Sequence, residues 1–201
     1  MSICWFTADW HFGHTKVLKF TDRPFASIAE HDAGLIARHN SVVNPDDDVW
    51  VCGDVALGDI ERSLACCAEM NGKLHLVLGN HDRPAMARTP EKRDYWTRRY
   101  LDEGGFFEVI DDDNSVDVEL PNGAIVLASH YPYSGDGDSF ATDRFADRRP
   151  LDTGQWLVHG HVHKAWHVRG RQINVGVDVW EFQPAPWETI AAIAGLTMPC
   201  D

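Results

Sequence analysis

Apolar and β-branched residues gather in eight short runs along the chain: Ile3–Thr7, Val49–Cys52, Leu74–Leu78, Phe106–Ile110, Val116–Leu120, Ala124–Ala128, Trp156–Val158 and Ile173–Val175. Each has strand length and strand composition. Between several of them the apolar spacing changes to three and four. Ser27-Ile28-Ala29-Glu30 is a capping box, and Ile28, Leu35 and Ile36 form the stripe of a helix that fades near His39-Asn40. A second helix starts at Asp59, carries Ile60, Leu64 and Cys67 on one face and stops at Asn71-Gly72. A third opens at Thr89-Pro90, with proline in its first turn, and stops at Gly104-Gly105. Val116–Leu120, the turn Pro121-Asn122-Gly123 and Ala124–Ala128 read as a hairpin. The prediction is an α/β chain, a mixed sheet system with helices outside. Tyr131–Gln155, rich in Gly, Asp and Arg, is the longest stretch without a period, a length that in compact domains accompanies function or mobility.

At 201 residues, without an internal repeat or a linker, the chain reads as one domain over 1–201. Eight Trp and nine Phe within 44% hydrophobic residues supply a core that needs no disulfide or metal staple. No apolar run approaches the ~20 residues that cross a bilayer, and Met1-Ser2-Ile3-Cys4-Trp5 lacks the basic region of a signal peptide. Cys4, Cys52, Cys66, Cys67 and Cys200 form no C-x-x-C pair and are odd in number, so reduced thiols and a cytoplasmic location are expected. Eighteen Lys and Arg against thirty-one Asp and Glu give a net charge of −13, which disfavours extended nucleic-acid binding, and the lack of a bilayer-crossing run predicts no membrane partner. Oligomeric state is not legible.

The chemistry lies at the carboxyl ends of these runs. The first leads into Asp9-Trp10-His11, the second into Gly53-Asp54 and the third into Gly79-Asn80-His81-Asp82. Ala124–Ala128 leads into Ser129-His130, and Trp156–Val158 into His159-Gly160-His161-Val162-His163. In layered α/β proteins the carboxyl ends of strands border one crevice, so these residues can meet. Asp9, His11, Asp54, Asn80, His130, His161 and His163 are more ligands than one ion uses; two ions ~3.5–4 Å apart, sharing a carboxylate, would use them well. Imidazole, carboxylate and amide oxygen together suit Mn²⁺, which is favoured, or Fe, Zn²⁺ or Ni²⁺. Gly53, Gly79 and Gly160 precede ligands, where a tight or positive-φ backbone lets the chain turn inward.

The ordered set D-x-H, G-D, G-N-H-D, a lone His after a strand and G-H-x-H resembles the calcineurin-like metallophosphoesterases, and Asn174-Val175-Gly176-Val177-Asp178 extends the match. Small single-domain members from bacteria and phages have an opening like Asp9-Trp10-His11-Phe12-Gly13-His14 and a later sequence like Arg23-Pro24-Phe25. The resemblance implies two facing mixed β-sheets flanked by helices, a four-layer α/β/β/α sandwich with its core over about residues 3–195. It also implies that Asp9, His11 and His163 hold one ion, that Asn80, His130 and His161 hold the other with Asp54 bridging, and that His81 stands beside the leaving group. Gly53-Asp54-Val55-Ala56 lacks the nearby Arg of the protein phosphatase branch, and Asp82 replaces that branch's Glu, which argues against phosphoprotein substrates.

Two dications would neutralise phosphoryl oxygens and lower the pKa of a bridging water, and a His would supply the departing oxygen's proton. The expected activity is phosphodiester hydrolysis on small nucleotide-like or cyclic esters. Phosphomonoesterase or nucleotide pyrophosphatase activity, or a non-catalytic metal-binding scaffold, is the alternative. His14 and His159 have no slot in the ligand set and are read as structural or as orienting the ligands. His167 is read as a hairpin residue. Asp82 either orients His81 or caps the Asp82-Arg83-Pro84 turn. Arg148 and Arg149, with Arg144, either clamp a phosphate or, the preferred reading, pair on the surface with Asp143, Asp147 and Asp152.

Overall fold

The computed structural model describes residues 3–110, 114–135 and 145–196. In chain order the elements are β1 (Cys4–Thr7), α1 (Val17–Phe20), α2 (Ile28–Asn40), β2 (Asp48–Val51), α3 (Ile60–Ala68), β3 (Lys73–Val77), α4 (Arg83–Met86) and α5 (Pro90–Asp102). They continue with β4 (Glu108–Ile110), β5 (Ser115–Glu119), β6 (Ile125–Ser129), β7 (Leu157–His159), β8 (Val168–Arg169), β9 (Gln172–Asn174), β10 (Ala185–Pro186) and α6 (Trp187–Ala194). All eight expected strands are present within a residue or two of their expected ends, and β5 and β6 form the expected hairpin.

The strands make two mixed five-stranded sheets, ordered β10-β1-β2-β3-β4 and β5-β6-β7-β9-β8. In the first, β1 to β4 run parallel and β10 joins β1 antiparallel. In the second, β6, β7 and β9 run parallel between two antiparallel edge strands. Alternation along each strand sorts side chains to two faces. Val49, Val51, Leu74 and Leu76 meet Leu35 of α2, Leu64 and Cys67 of α3 and Tyr100 of α5 in one core, outside the first sheet. Phe6, Cys52 and Val77 meet Val118, Val126, Ala128, Val158 and Ile173 in a second core between the sheets, which Ile190, Ala191 and Ala194 of α6 extend. At ~25 cal/mol per Å², these two layers are the dominant stabilising term and hold the strand ends in register. Among the described residues no helix is long and apolar enough to cross a membrane.

The local signals act as expected at two helix starts. Ser27 accepts from the Glu30 N–H at 3.2 Å, while Glu30 reaches back to the Ala26 N–H at 2.9 Å. Thr89 accepts from the Lys92 N–H at 3.3 Å. Three details differ from expectation. The helix after Asp59 ends at Ala68, and Gly72 (φ +99°) instead serves the turn into β3, where a side chain would meet Val49. The buried face of α2 is His31, Asp32, Leu35 and His39, because that face packs on polar groups of the β1 loop. Helix α6 and the two-residue strands β8 and β10 carried no periodic signal long enough to read. His167 flanks the β8–β9 hairpin as expected, its carbonyl accepting from the Asn174 N–H.

Candidate metal centre

The carboxyl ends of β1, β2, β3, β6 and β7 converge where the two sheets meet, and short backbone links lace their loops together. The Asp9 N–H donates to Gly53, the His11 N–H to Asp54, and the Gly160 N–H to His130, at 3.0, 3.0 and 3.2 Å. Ala8 bridges to Gly176 across the sheets. A Cβ on Gly79 would fall 2.3 Å from Asp54 Oδ1, and one on Gly160 would fall 2.8 Å from Asp9 Oδ2. Only Gly53 of the three expected glycines has positive φ (+79°); the other two are needed for closeness. Left-handed backbone falls instead on the polar residues: Asp9 (φ 59°), His11 (54°), Asp54 (58°), His161 (72°) and His163 (48°). Such conformations cost a non-glycine residue of order 1 kcal/mol or more and gather at functional sites.

Of the seven expected ligands, Asp9, His11 and His163 offer atoms within 4.8 Å of one another, and so do Asp9, Asp54 and His130. Asp54 Oδ2 stands 3.8 Å from His11 Nε2 and 3.6 Å from His130 Nε2, between the two groups. Asn80 Oδ1 and His161 Nδ1 lie 3.1 and 3.2 Å from that same His130 nitrogen. Thus all seven are brought together, with Asp9 closer to both groups than the motif spacing suggested.

Tautomers follow from the partners. His130 Nδ1 faces the Cys52 carbonyl at 2.9 Å and must donate to it, which leaves Nε2 as a lone pair directed at the lone pair of Asn80 Oδ1. His163 Nδ1 donates to Asp178 at 3.0 Å, which turns its Nε2 inward. Asp9 Oδ1 and His11 Nε2 are buried without any hydrogen-bond partner. Burial pushes the Asp9 carboxyl up to about 6, and burial together with Asp82 and Asp9 pushes Asp54 well above the carboxylate range. Burial lowers His11 and His130 well below their ordinary value and His161 to about 3. Neutral imidazoles and crowded carboxylates, with acceptors facing acceptors, are the donor set that divalent cations would satisfy, and the residues fit that group.

The remaining expected residues surround this set. The His81 ring stands 5.7 Å from that of His11, and its backbone N–H donates to Asp54 Oδ1 at 2.8 Å. His14 Nδ1 lies 3.3 Å from His11 Nδ1. His159 donates to the Gly160 carbonyl at 2.7 Å and packs on Trp166, steadying the turn before His161. Asp82 does not cap α4 through its side chain; its carboxylate accepts the N–H groups of Asp54, Val55 and Gly79 at 2.9, 3.1 and 2.8 Å. Arg149 donates to the Pro132 carbonyl at 3.1 Å, and Asp152 pairs with Arg171 at 2.9 Å. Burial pushes the Tyr131 phenol up to about 12, with the Arg148 guanidinium pulling the other way. Asp143, Arg144 and the middle of the Tyr131–Gln155 stretch lie outside the described residues.

Sequence reasoning passed over the polar layer behind the site. Arg23 Nε and Nη2 grip Asp178 at 2.8 Å each, and His31 and Asp32 of α2 complete the layer. Burial would raise Asp178, yet the bonds from His163 and Arg23 hold it well below the usual carboxylate range. The available signal was the four-residue spacing of His31, Leu35 and His39, which marks a helix face that is half polar and wholly buried.

Comparison with known proteins agrees with this architecture. The chain is 35% identical over 198 residues to the gene 66 protein of Mycobacterium phage L5, covering 90% of this chain and 88% of the relative. It is 35% identical over 192 residues to the gene 66 protein of phage D29, covering 90% of each. A solved structure, the protein of unknown function AQ665 from Aquifex aeolicus, shares the fold with a TM-score of 0.70 at 22% identity, over 96% of this chain and 100% of that one. The calcineurin-like phosphoesterase signature matches residues 4–165, most of the chain. A match of that extent, on the fold and the strand-end residues described above, means that this chain belongs to the calcineurin-like phosphoesterase family.

Proposed function

We propose that this chain is a phosphodiesterase that works with two divalent ions, Mn²⁺ favoured, on small nucleotide-like or cyclic phosphodiesters. The observation that carries the reading is the set of buried ligating atoms without partners, Asp9 Oδ1 and His11 Nε2, beside His130 Nε2 aimed at Asn80 Oδ1. Asp9, His11 and His163 would hold one ion and Asn80, His130 and His161 the other, with Asp54 between them. Bound there, two dications supply charge neutralisation of the phosphoryl group and activation of a water. The chain's own residues do the rest. Asp82 fixes the Asp54 and Gly79 loops through three N–H groups, and Asp54 in turn holds the His81 backbone. His81, anchored beside the set, donates a proton to the oxygen that departs.

Phe20 supports a flat-ringed ester. It is 53% exposed, an unusual setting for Phe, and its ring packs edge-on against His163 at 5.4 Å and beside His14 at 5.6 Å, at the rim of the site. The free thiols of Cys4, Cys52, Cys66 and Cys67 accord with a reducing, cytoplasmic setting. The test is turnover of bis-p-nitrophenyl phosphate against p-nitrophenyl phosphate by metal-stripped protein reloaded with Mn²⁺. Preference for the diester is expected; faster monoester turnover would replace the reading by a phosphomonoesterase one.

A further inference from the structure

Arg23 is 4% exposed, a buried cation in a chain of net charge −13, and every one of its donors is spoken for. Nε and Nη2 bind the two oxygens of Asp178 at 2.8 Å each; Nη2 also reaches the Asp9 carbonyl at 2.7 Å. Nη1 reaches the Trp10 carbonyl at 3.0 Å and His31 Nε2 at 2.8 Å. Five N–H groups meet five acceptors, the full capacity of a guanidinium. Because Arg only donates, His31 Nε2 accepts, so His31 Nδ1 carries the proton and gives it to Asp32 Oδ1 at 2.8 Å. Asp32 accepts from the Gly13 N–H at 3.3 Å, and Asp178 accepts from His163 Nδ1 at 3.0 Å.

The layer's hydrogen bonds toward the cluster run to the loop from Asp9 to Gly13 and to His163. The layer reaches the second half of the set through Asp9, whose carboxylate accepts from the His161 N–H at 2.9 Å and lies near Asp54 and His130. The segments it grips are also strained: Asp9, His11 and His163 have φ between 48° and 59°. A loop in sparsely populated conformations keeps them only where its surroundings over-determine it, and a fixed partner on one ring nitrogen sets the aim of the other.

We infer that Arg23, with Asp178, His31 and Asp32, is a positioning unit that bears directly on one of the two cation positions, that of Asp9, His11 and His163, and on the other only through Asp9. The inference rests on the two-ion reading above. Arg23 and Asp178 touch no reacting atom in it; they act through the Asp9–Trp10 backbone and the His163 ring. Deleting the unit therefore weakens that position more than the other and separates the two in affinity.

The experiment uses the full chain, stripped of metal, titrated with Mn²⁺ by calorimetry and followed by electron paramagnetic resonance. Wild type binding two ions with a spin-coupled spectrum is the baseline; fewer than two ions in wild type would sink the two-ion reading itself. Asp178→Asn, nearly isosteric and still able to accept from Arg23, is expected to weaken one ion by tenfold or more, weaken the other several-fold less, and show an isolated six-line Mn²⁺ signal. Arg23→Lys, which keeps the charge but loses the fork, is expected to do the same and stands in should Asp178→Asn fail to fold. Equal weakening of both ions, or none, in a variant whose metal-free melting temperature matches wild type would overturn the inference.

Discussion

The carboxylate of Asp82 binds the backbone of Asp54, taking its N–H at 2.9 Å while its other oxygen takes the next N–H, of Val55, at 3.1 Å. One buried acid thus fixes the peptide that presents another. Burial pushes Asp82 up to about 6, and the three N–H groups it accepts pull the other way. Asp82→Asn leaves an amide N–H₂ facing N–H donors. Its stability should fall by on the order of 2 kcal/mol, read by urea denaturation, with Mn²⁺ affinity reduced at both positions. Unchanged stability would mean that the loop keeps its shape without the acid.

Asp54 stands within 4 Å of an imidazole nitrogen from each half of the set, whereas His163 belongs to one half. Asp54→Ala should therefore cost both ions and His163→Ala mainly one, as counted by metal analysis after dialysis. One ion retained in Asp54→Ala would deny the bridging role.

The importance of a proton donor scales with the basicity of the oxygen it serves. p-Nitrophenolate leaves unaided; a nucleoside alkoxide does not. His81→Ala should lower kcat by roughly 10²-fold or more for a cyclic nucleotide and by less than about tenfold for bis-p-nitrophenyl phosphate, at constant metal content. Similar losses for both esters would assign His81 to charge stabilisation instead, and lost metal would make it a ligand.

His39 offers a pH test away from the cluster. It is buried on α2, its Nε2 donates to the Asn71 carbonyl at 2.8 Å, and burial lowers it to about 4. The unfolded chain takes up a proton near pH 6.5 that the folded chain refuses until about 4. Its contribution is therefore complete above pH 6.5 and is lost as pH falls toward 4, on the order of 3 kcal/mol. His39→Gln, which keeps a donor for Asn71, should flatten the fall of melting temperature over that window by comparison with wild type. Parallel profiles would refute the assignment.

The strand-end ligands were legible because parallel strands buried on both faces read as continuous apolar runs, and each run ended on a polar residue of ligating type. Two-residue strands such as Val168–Arg169 and Ala185–Pro186 have no period to detect. In α6 the apolar run Ile190-Ala191-Ala192-Ile193-Ala194 is five residues long, too short for its period to separate helix from strand, though Gly195 at φ +66° closes it as a C-terminal glycine should. On α2, Leu35 is buried and Ile36 packs half-buried against the first core as the stripe predicts, and His31, Asp32 and His39 share the buried face, which the stripe does not show. Arg23 and Asp178 are 155 positions apart, and no local pattern joins them; only the fold reveals that they are a pair.

The left-handed backbone at Asp9, His11, Asp54, His161 and His163 sets two selections against each other. At each of these positions glycine is the residue that the backbone prefers and a ligand is the residue that the chemistry needs. Random mutagenesis of this chain screened for thermal tolerance alone would thus tend to erode the cluster, because His161→Gly or His163→Gly relieves backbone strain in the same step that removes an imidazole. Screens for a hardier version of this protein would have to demand ion binding and heat resistance together.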